Sequence, residues 1–462
     1  MNGNTAQSLP ATPPTNTLFY VIRVSSVAAL GGLLFGYDTA VIAGAIGFLQ
    51  IKFHLSPSMV GWVASSAIWG CVLGVVLAGK LSDQLGRKKA LIATAFLFGI
   101  SGIGSALPDD LTTFIMARFA GGVAIGAVSV LAPLYLSEIA PSSIRGRMVT
   151  LYQLAIVLGI NLIYFVNMKI EATGTQEWNI EYGWRWMLGS ETIPALLFLF
   201  LLFLVPESPR WLIAKNQNDK ALAILKKMHG SLAAHAIQEE VKTTLHTQQG
   251  TWSELLLPHY RTPLIIGIVL ALFSQITGIN AIIYYAPEIL KSTGIGTDSA
   301  LTQTFIIGIV NSLFTLVALW LVDLKGRRIL LIWGVSGMVI CLLGTTVCFY
   351  FNWTTGPWLL IFILGYIASF ASSLGPIPWI IISEIFPTQT RGIAMAIATL
   401  VLWLGVIAVT QLTPMLLQSA GGATLFFLFL LNSIFLLFFS WMKIPETKNL
   451  SLEAIEKGWT NR

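Results

Sequence analysis

Ser82-Asp83-Gln84-Leu85-Gly86-Arg87-Lys88 returns later in the chain as Val322-Asp323-Leu324-Lys325-Gly326-Arg327-Arg328, at an offset of 240 residues. Both copies place an aspartate, a glycine and a basic pair at matching positions, and both separate two long apolar blocks. A second pair follows in the same order. Ser137-Glu138-Ile139-Ala140-Pro141 with Arg145-Gly146 returns as Ser383-Glu384-Ile385-Phe386-Pro387 with Arg391-Gly392, at an offset of 246. Pro206-Glu207 and Pro445-Glu446 make a third pair, at 239. Three matches at nearly one offset indicate a duplicated unit, and the blocks between the motifs say what was duplicated.

Of the 462 residues 55% are hydrophobic and only 10% charged, with a mean hydropathy of +0.77. A soluble chain needs about a quarter of its residues charged to cover its surface, so a water-soluble fold is excluded. Blocks such as 90–107, 329–349 and 392–417 approach or exceed the roughly 20 residues that cross about 30 Å of hydrocarbon as helix. They are too long for membrane-barrel strands, which alternate over about 10 residues. The expected fold is therefore an all-α membrane protein with twelve transmembrane helices in two six-helix halves. The expected divisions are a disordered tail at 1–18, an N-terminal half at 19–205, a helical linker at 206–261, a C-terminal half at 262–444 and a tail at 445–462. Within the halves the sixth span is read as 185–205, the seventh as 262–290 and the tenth as 357–382. The linker is expected to hold helices near 220–228 and 233–245 without a core of its own.

Of the 27 lysines and arginines, four (Lys52, Lys169, Arg185, Lys291) fall on one side and Arg118 falls within a span; the other 22 share the linker's side. The positive-inside rule then puts the linker and both termini in the cytoplasm of a cell-membrane protein. The net charge of +6 reads as this topology rather than as a nucleic-acid surface. Cys71, Cys341 and Cys348 lie inside apolar blocks, with neither disulfide nor metal-ligand spacing. There is no phosphate-binding loop and no nucleophile beside a histidine, so neither an enzyme nor an ATP-driven pump is expected, and no cofactor or metal.

Five runs carry a family resemblance, two of them among the repeats: 31–38 (Gly-Gly-Leu-Leu-Phe-Gly-Tyr-Asp), Asp83 to Arg87, Pro206-Glu207-Ser208-Pro209-Arg210, Gly278-Ile279-Asn280 with Tyr284-Tyr285, and Gly375-Pro376-Ile377-Pro378-Trp379. In that order they resemble the sugar porters of the major facilitator superfamily over nearly the whole chain. The resemblance implies a monomeric carrier of a monosaccharide that alternates access between its halves.

Three formal charges stand well inside apolar sequence: Asp38, Arg118 and Glu191. Isolated charges in hydrocarbon are costly and usually pair toward the protein interior. One reading is a fixed ion pair between helices. The other is a proton site, in which Asp38 is ionised beside Arg118 and protonated when they part. In the bacterial symporters that this chain resembles, the matching acid and arginine have that role and an acid matching Glu191 tunes it. Facilitative relatives often carry a neutral residue where Asp38 stands, so symport leads over uniport. A sugar sensor on the same fold would carry a long tail after Pro445, a feature not seen here.

Sugar hydroxyls both donate and accept, and side-chain amides supply both functions. Gln153, Gln275, Asn280 and Asn311 lie within spans, where interhelical bonding is the alternative use. The resemblance implies sugar contact for these four, for Gly375, and for the aromatic positions Phe35, Tyr284, Trp379 and Trp403. Departures limit the choice of sugar: Ser274 stands where the family has a glutamine before Gln275, Ile160 stands where xylose-type symporters have one, and Leu402 replaces an amide. Glucose, xylose, galactose and myo-inositol stay open. The repeated charges Asp83, Arg87, Glu138, Arg145, Asp323, Arg327, Glu384 and Arg391 read either as solvated topology signals or, by the resemblance, as gating networks. Pro376 and Pro378 are expected to break the tenth span beside a cavity at Trp379, and Gly121, Gly122 and Gly126 to form a close helix-packing face.

Overall fold

The computed structural model describes residues 15–141, 144–245, 255, 257–354, 356–386 and 390–448. Among the described residues eleven helices are long and apolar enough to cross a membrane. A twelfth crossing is a broken one, Trp358–Ala371 followed by Ile377–Ile385. Six spans precede the polar linker and six follow it. The chain is thus an all-helical, multi-pass membrane protein with twelve spans. The side carrying the linker is called the linker face below, and the other the far face.

Helices meet in lipid without help from water, so small residues that let backbones approach decide which pairs form. The first span, Thr15–Lys52, lies against the fifth, Arg145–Glu171, where a methyl added at Gly36 or Gly159 would overlap the facing carbonyl of Ile156 or Leu33. The second, Pro57–Leu85, meets the fourth, Leu111–Ile139, in the same manner: Gly70 and Gly74 face Phe119 and Val123, and Gly122 and Gly126 face Ala67 and Cys71. The packing face expected at Gly122 and Gly126 is present. Gly121 differs, because it faces Ser101 Oγ and Asp38 Oδ2.

Three spans are interrupted, two more than the sequence suggested. The sixth starts at Gln176 rather than 185, passes through one π-helical turn at Asn179–Gly183, and breaks at Ser190 and Glu191. Pro194 explains the break, because it has no N–H for the carbonyl four residues earlier and its ring crowds that carbonyl. The seventh divides into Pro258–Ile276 and Ile279–Lys291 around Gly278, whose φ of 103° is open to glycine and strained for other residues. Backbone freed there is taken up locally: Tyr366 Oη donates to the Thr277 carbonyl at 3.1 Å and Asn432 Nδ2 to that of Ile276 at 3.2 Å. In the tenth, Gly375 N donates to the Phe370 carbonyl at 3.0 Å across the expected break.

The linker corrects one expectation. Its helices Pro209–Ala214, Asn218–His229 and Ser231–Leu245 enclose an apolar cluster of their own, formed by Leu212, Ile213, Ala221, Leu225 and Ala234. It is a small packed unit rather than a strap.

The two halves bond to each other toward the far face. Ser65 Oγ donates to Gln411 Oε1 at 2.8 Å, Gln411 Nε2 to the Ser58 carbonyl at 3.0 Å, and Tyr164 Oη to the Ile283 carbonyl at 2.7 Å.

Candidate functional site

The three charges predicted inside the membrane come together in the N-terminal half. Arg118 Nη1 donates to Asp38 Oδ1, and Nη2 reaches the Asp38 backbone carbonyl at 3.2 Å. Asp38, Arg118 and Glu191 are 0%, 2% and 1% exposed. Glu191 stands beside both members of the pair, at the break of the sixth span. One guanidinium thus faces two carboxylates, and Asp38 Oδ2 and Glu191 Oε1 have no hydrogen-bond partner. Desolvation of three charges is offset only where each is paired and bonded, so this cluster is balanced when one of its two carboxyl groups holds a proton. The neighbouring residues Tyr37 and Ser190 bond to each other at 2.8 Å and tie the first span to the broken sixth. The sequence reading missed both; the signal was their position next to Asp38 and Glu191.

The expected sugar contacts divide into groups. Gln275 and Asn280 stand on either side of the Gly278 break, where Asn280 Nδ2 donates to Gln275 Oε1 at 2.7 Å and Gln275 Nε2 to Ser274 Oγ at 2.9 Å. The serine that departs from the family pattern is therefore a partner of the retained glutamine. Phe35 of the first span and Trp403 of the eleventh, Arg391–Ser419, bring rings from opposite halves to 6.1 Å between centroids. Tyr284 is buried on the second segment of the seventh span, and Asn311 on the eighth, Thr297–Lys325. A Cβ at Gly375 would meet its own helix in ordinary contact, the Ala371 carbonyl at 3.5 Å, and Trp379 is 41% exposed just beyond the tenth-span break. Gln153 is half-buried on the fifth span; among the described residues no hydrogen bond ties it or Trp379 to the other candidates.

A cavity of about 10 Å³ joins the two sets. Arg118, Thr39 and Cys71 line it from the N-terminal half, and Tyr284 and Trp403 from the C-terminal half. Of the charged cluster Arg118 lines this space, and of the aromatic candidates Tyr284 and Trp403.

On the linker face the duplicated motifs form two similar latches. In the first, the Arg87 guanidinium binds both oxygens of Glu138, at 2.9 and 3.0 Å, and reaches Asp83 at 3.2 Å. Glu207 caps the third span by accepting from Arg87 N and Lys88 N at 2.9 and 3.0 Å. In the second, Arg327 reaches Glu384 at 3.3 Å, and Glu446 accepts from Arg327 N and Arg328 N at 3.0 and 3.2 Å. Each capping carboxylate occupies the place a Cβ would take on Gly86 or Gly326, both at positive φ. Carboxylates at helix N-termini are worth about 0.3–1 kcal/mol each, more when part-buried. Arg391 donates to the Phe386 carbonyl from two nitrogens, at 3.1 and 3.2 Å. The side chains of Arg145 and Asp323 lie outside the described residues.

Two six-helix halves, broken spans lined with amides and aromatic rings, and a buried charge cluster at their junction define a membrane carrier rather than an enzyme. Residues 24–459 match the family model described as "Sugar (and other) transporter", and the chain belongs to that family. It is 45% identical to the arabinose-proton symporter of Bacillus subtilis over 99% of this chain and 100% of the relative. It is 39% identical to the D-xylose-proton symporter of Escherichia coli K12, over 95% of this chain and 96% of that protein. Among solved structures, the inward open conformation of the E. coli xylose transporter XylE superposes with a TM-score of 0.84 at 38% identity. The match covers 95% of this chain and all of that one.

Proposed function

We propose that this chain imports a monosaccharide together with a proton, by alternating access between its halves. The observation that carries the reading is the buried cluster of one arginine and two carboxyl groups, whose Arg118 lines a small cavity together with Tyr284 and Trp403. Such a cluster reaches neutrality by taking one proton, and Asp38 is the carboxylate whose bond to Arg118 depends on giving it up. A conformational change that parts Asp38 from Arg118 favours protonation, and pairing favours release, which links proton movement to rocking. Glu191 adds a second negative charge that sets how strongly the proton is held.

For the sugar, Gln275, Asn280, Asn311 and Gln153 supply amide bonds, Gly375 leaves room, and Phe35, Tyr284, Trp379 and Trp403 supply faces for C–H groups. The relatives' names favour a pentose, arabinose or xylose; arabinose was absent from the sugars that the residues alone kept open. The latches Asp83–Arg87–Glu138 and Arg327–Glu384, with Arg391, keep each half rigid on the linker face while the halves close on the far face. With 22 of 27 basic residues on the linker side, that face and both termini belong in the cytoplasm.

The test is purified protein in vesicles with sugar uptake and internal pH followed together, across arabinose, xylose, glucose, galactose and myo-inositol. Acidification driven by one of these sugars is expected. Sugar entry with no proton movement would leave a uniporter instead.

A further inference from the structure

Arg118 and Trp403 face the same small cavity from opposite halves, and each presents a buried N–H without a protein partner: Arg118 Nε and Trp403 Nε1. Both groups are donors only, since neither a guanidinium nor an indole N–H can accept. They cannot satisfy each other. An acceptor with two free lone pairs can satisfy both, and a cavity of about 10 Å³ has room for a single water. Leaving two such donors bare costs about 1–3 kcal/mol each, more for the charged one. Of the remaining walls, Ala64, Ala67, Ile68 and Ile125 offer no side-chain acceptor and Cys71 only a weak one; the hydroxyls of Thr39 and Tyr284 can accept, but neither bonds either nitrogen.

We infer that this cavity is a one-water site bridging Arg118 Nε and Trp403 Nε1, and that Trp403 is through it a positioning residue for the Asp38–Arg118 pair. The bridge gives the C-terminal half a polar hold on an arginine that belongs to the N-terminal half. Trp403 also stands against Phe35, one helical turn before Asp38 on the first span. A sugar that displaces either ring moves the anchor of the water, and the arginine follows. Tyr284, Cys71, Asp38 and Glu191 are the titratable groups around the bridge. This inference rests on the proton-coupling reading for its consequence, though not for the presence of the water.

Two measurements on the full-length protein test it. An experimental structure fine enough to show ordered water is expected to have one within hydrogen-bond reach of both nitrogens; a dry cavity overturns the site. In vesicles, Ala64→Val fills the cavity while leaving Trp403 in place. It is expected to lower proton entry per sugar at least threefold while sugar counterflow stays within about twofold of wild type, since one lost bond of about 1 kcal/mol is roughly a factor of five. Trp403→Phe is expected to lower the same ratio and to raise the sugar KM as well. Should Ala64→Val fail to fold, Ile68→Phe fills the cavity from the next helical turn. An unchanged ratio in the folded filler variant overturns the positioning role. Wild-type protein without sugar-driven proton entry would remove the coupling reading and leave the water to be decided by the structure.

Discussion

The two halves share their latches and differ in their middles. On the linker face, the first half caps the third span with Glu207 and the second caps the ninth, Arg327–Tyr350, with Glu446; Lys88 Nζ reaches the Phe203 carbonyl as Arg328 Nη2 reaches that of Trp441. At membrane depth the correspondence stops. The first half buries Asp38, Arg118 and Glu191, whereas the second offers Gln275, Asn280 and Asn311, which are polar but uncharged. Duplication preserved what holds six helices together and not the buried charges at its centre, which stand in the first copy alone among the described residues.

Four substitutions can break or sharpen that contrast. The largest effect is expected from Asp38→Asn, which removes the carboxylate without changing its size. Gradient-driven accumulation should vanish while sugar exchange continues, measured by uptake with an imposed pH gradient and by counterflow. Persistent accumulation would make the ion pair a structural strut. Next comes the comparison of the two latches. Glu138 is 4% exposed and held at two oxygens, whereas Glu384 is 24% exposed and meets Arg327 at 3.3 Å. Arg87→Ala is therefore expected to destabilise by about 3 kcal/mol, as for a broken buried pair, and Arg327→Ala by about 1 kcal/mol. Thermal unfolding in detergent reads both; equal losses would mean that the latches are equivalent despite their geometry. A further change is Gln275→Ala, which leaves Asn280 without its partner across the Gly278 break. A rise in sugar KM of roughly tenfold, from about 1.4 kcal/mol of lost bonding, is expected with proton stoichiometry unaltered. A change confined to stoichiometry would move that amide from the sugar site to the coupling machinery.

Much of the fold was legible because its signals are long. Spans of twenty apolar residues, biased basic loops and a motif repeated 240 residues apart each average over local ambiguity. The break in the tenth span was readable from Pro376 and Pro378, but those in the sixth and seventh were not. Pro194 and Gly278 are single residues in apolar runs, and such residues are common in membrane helices without a break. The charged cluster was legible because a charge in hydrocarbon has few explanations. Its neighbours were not, since Tyr37, Ser190 and Gly121 look like any residue of a packed helix until the third dimension puts them against the carboxylates. The linker's private cluster was hidden for a similar reason. Leu212, Ala221 and Ala234 are too few and too scattered to stand out beside the spans.

The latches also bear on the order in which the protein is made. Glu207 follows directly on the sixth span, so the first latch has all its parts as soon as that stretch leaves the ribosome. Glu446, by contrast, comes only after the twelfth span, and its latch is completed after all six spans of the second half have been made. The N-terminal half, with its three membrane charges gathered in one buried cluster away from lipid, is thereby able to lock before its partner exists. The C-terminal half, free of buried formal charge at its centre, is the one that waits in the bilayer at least cost.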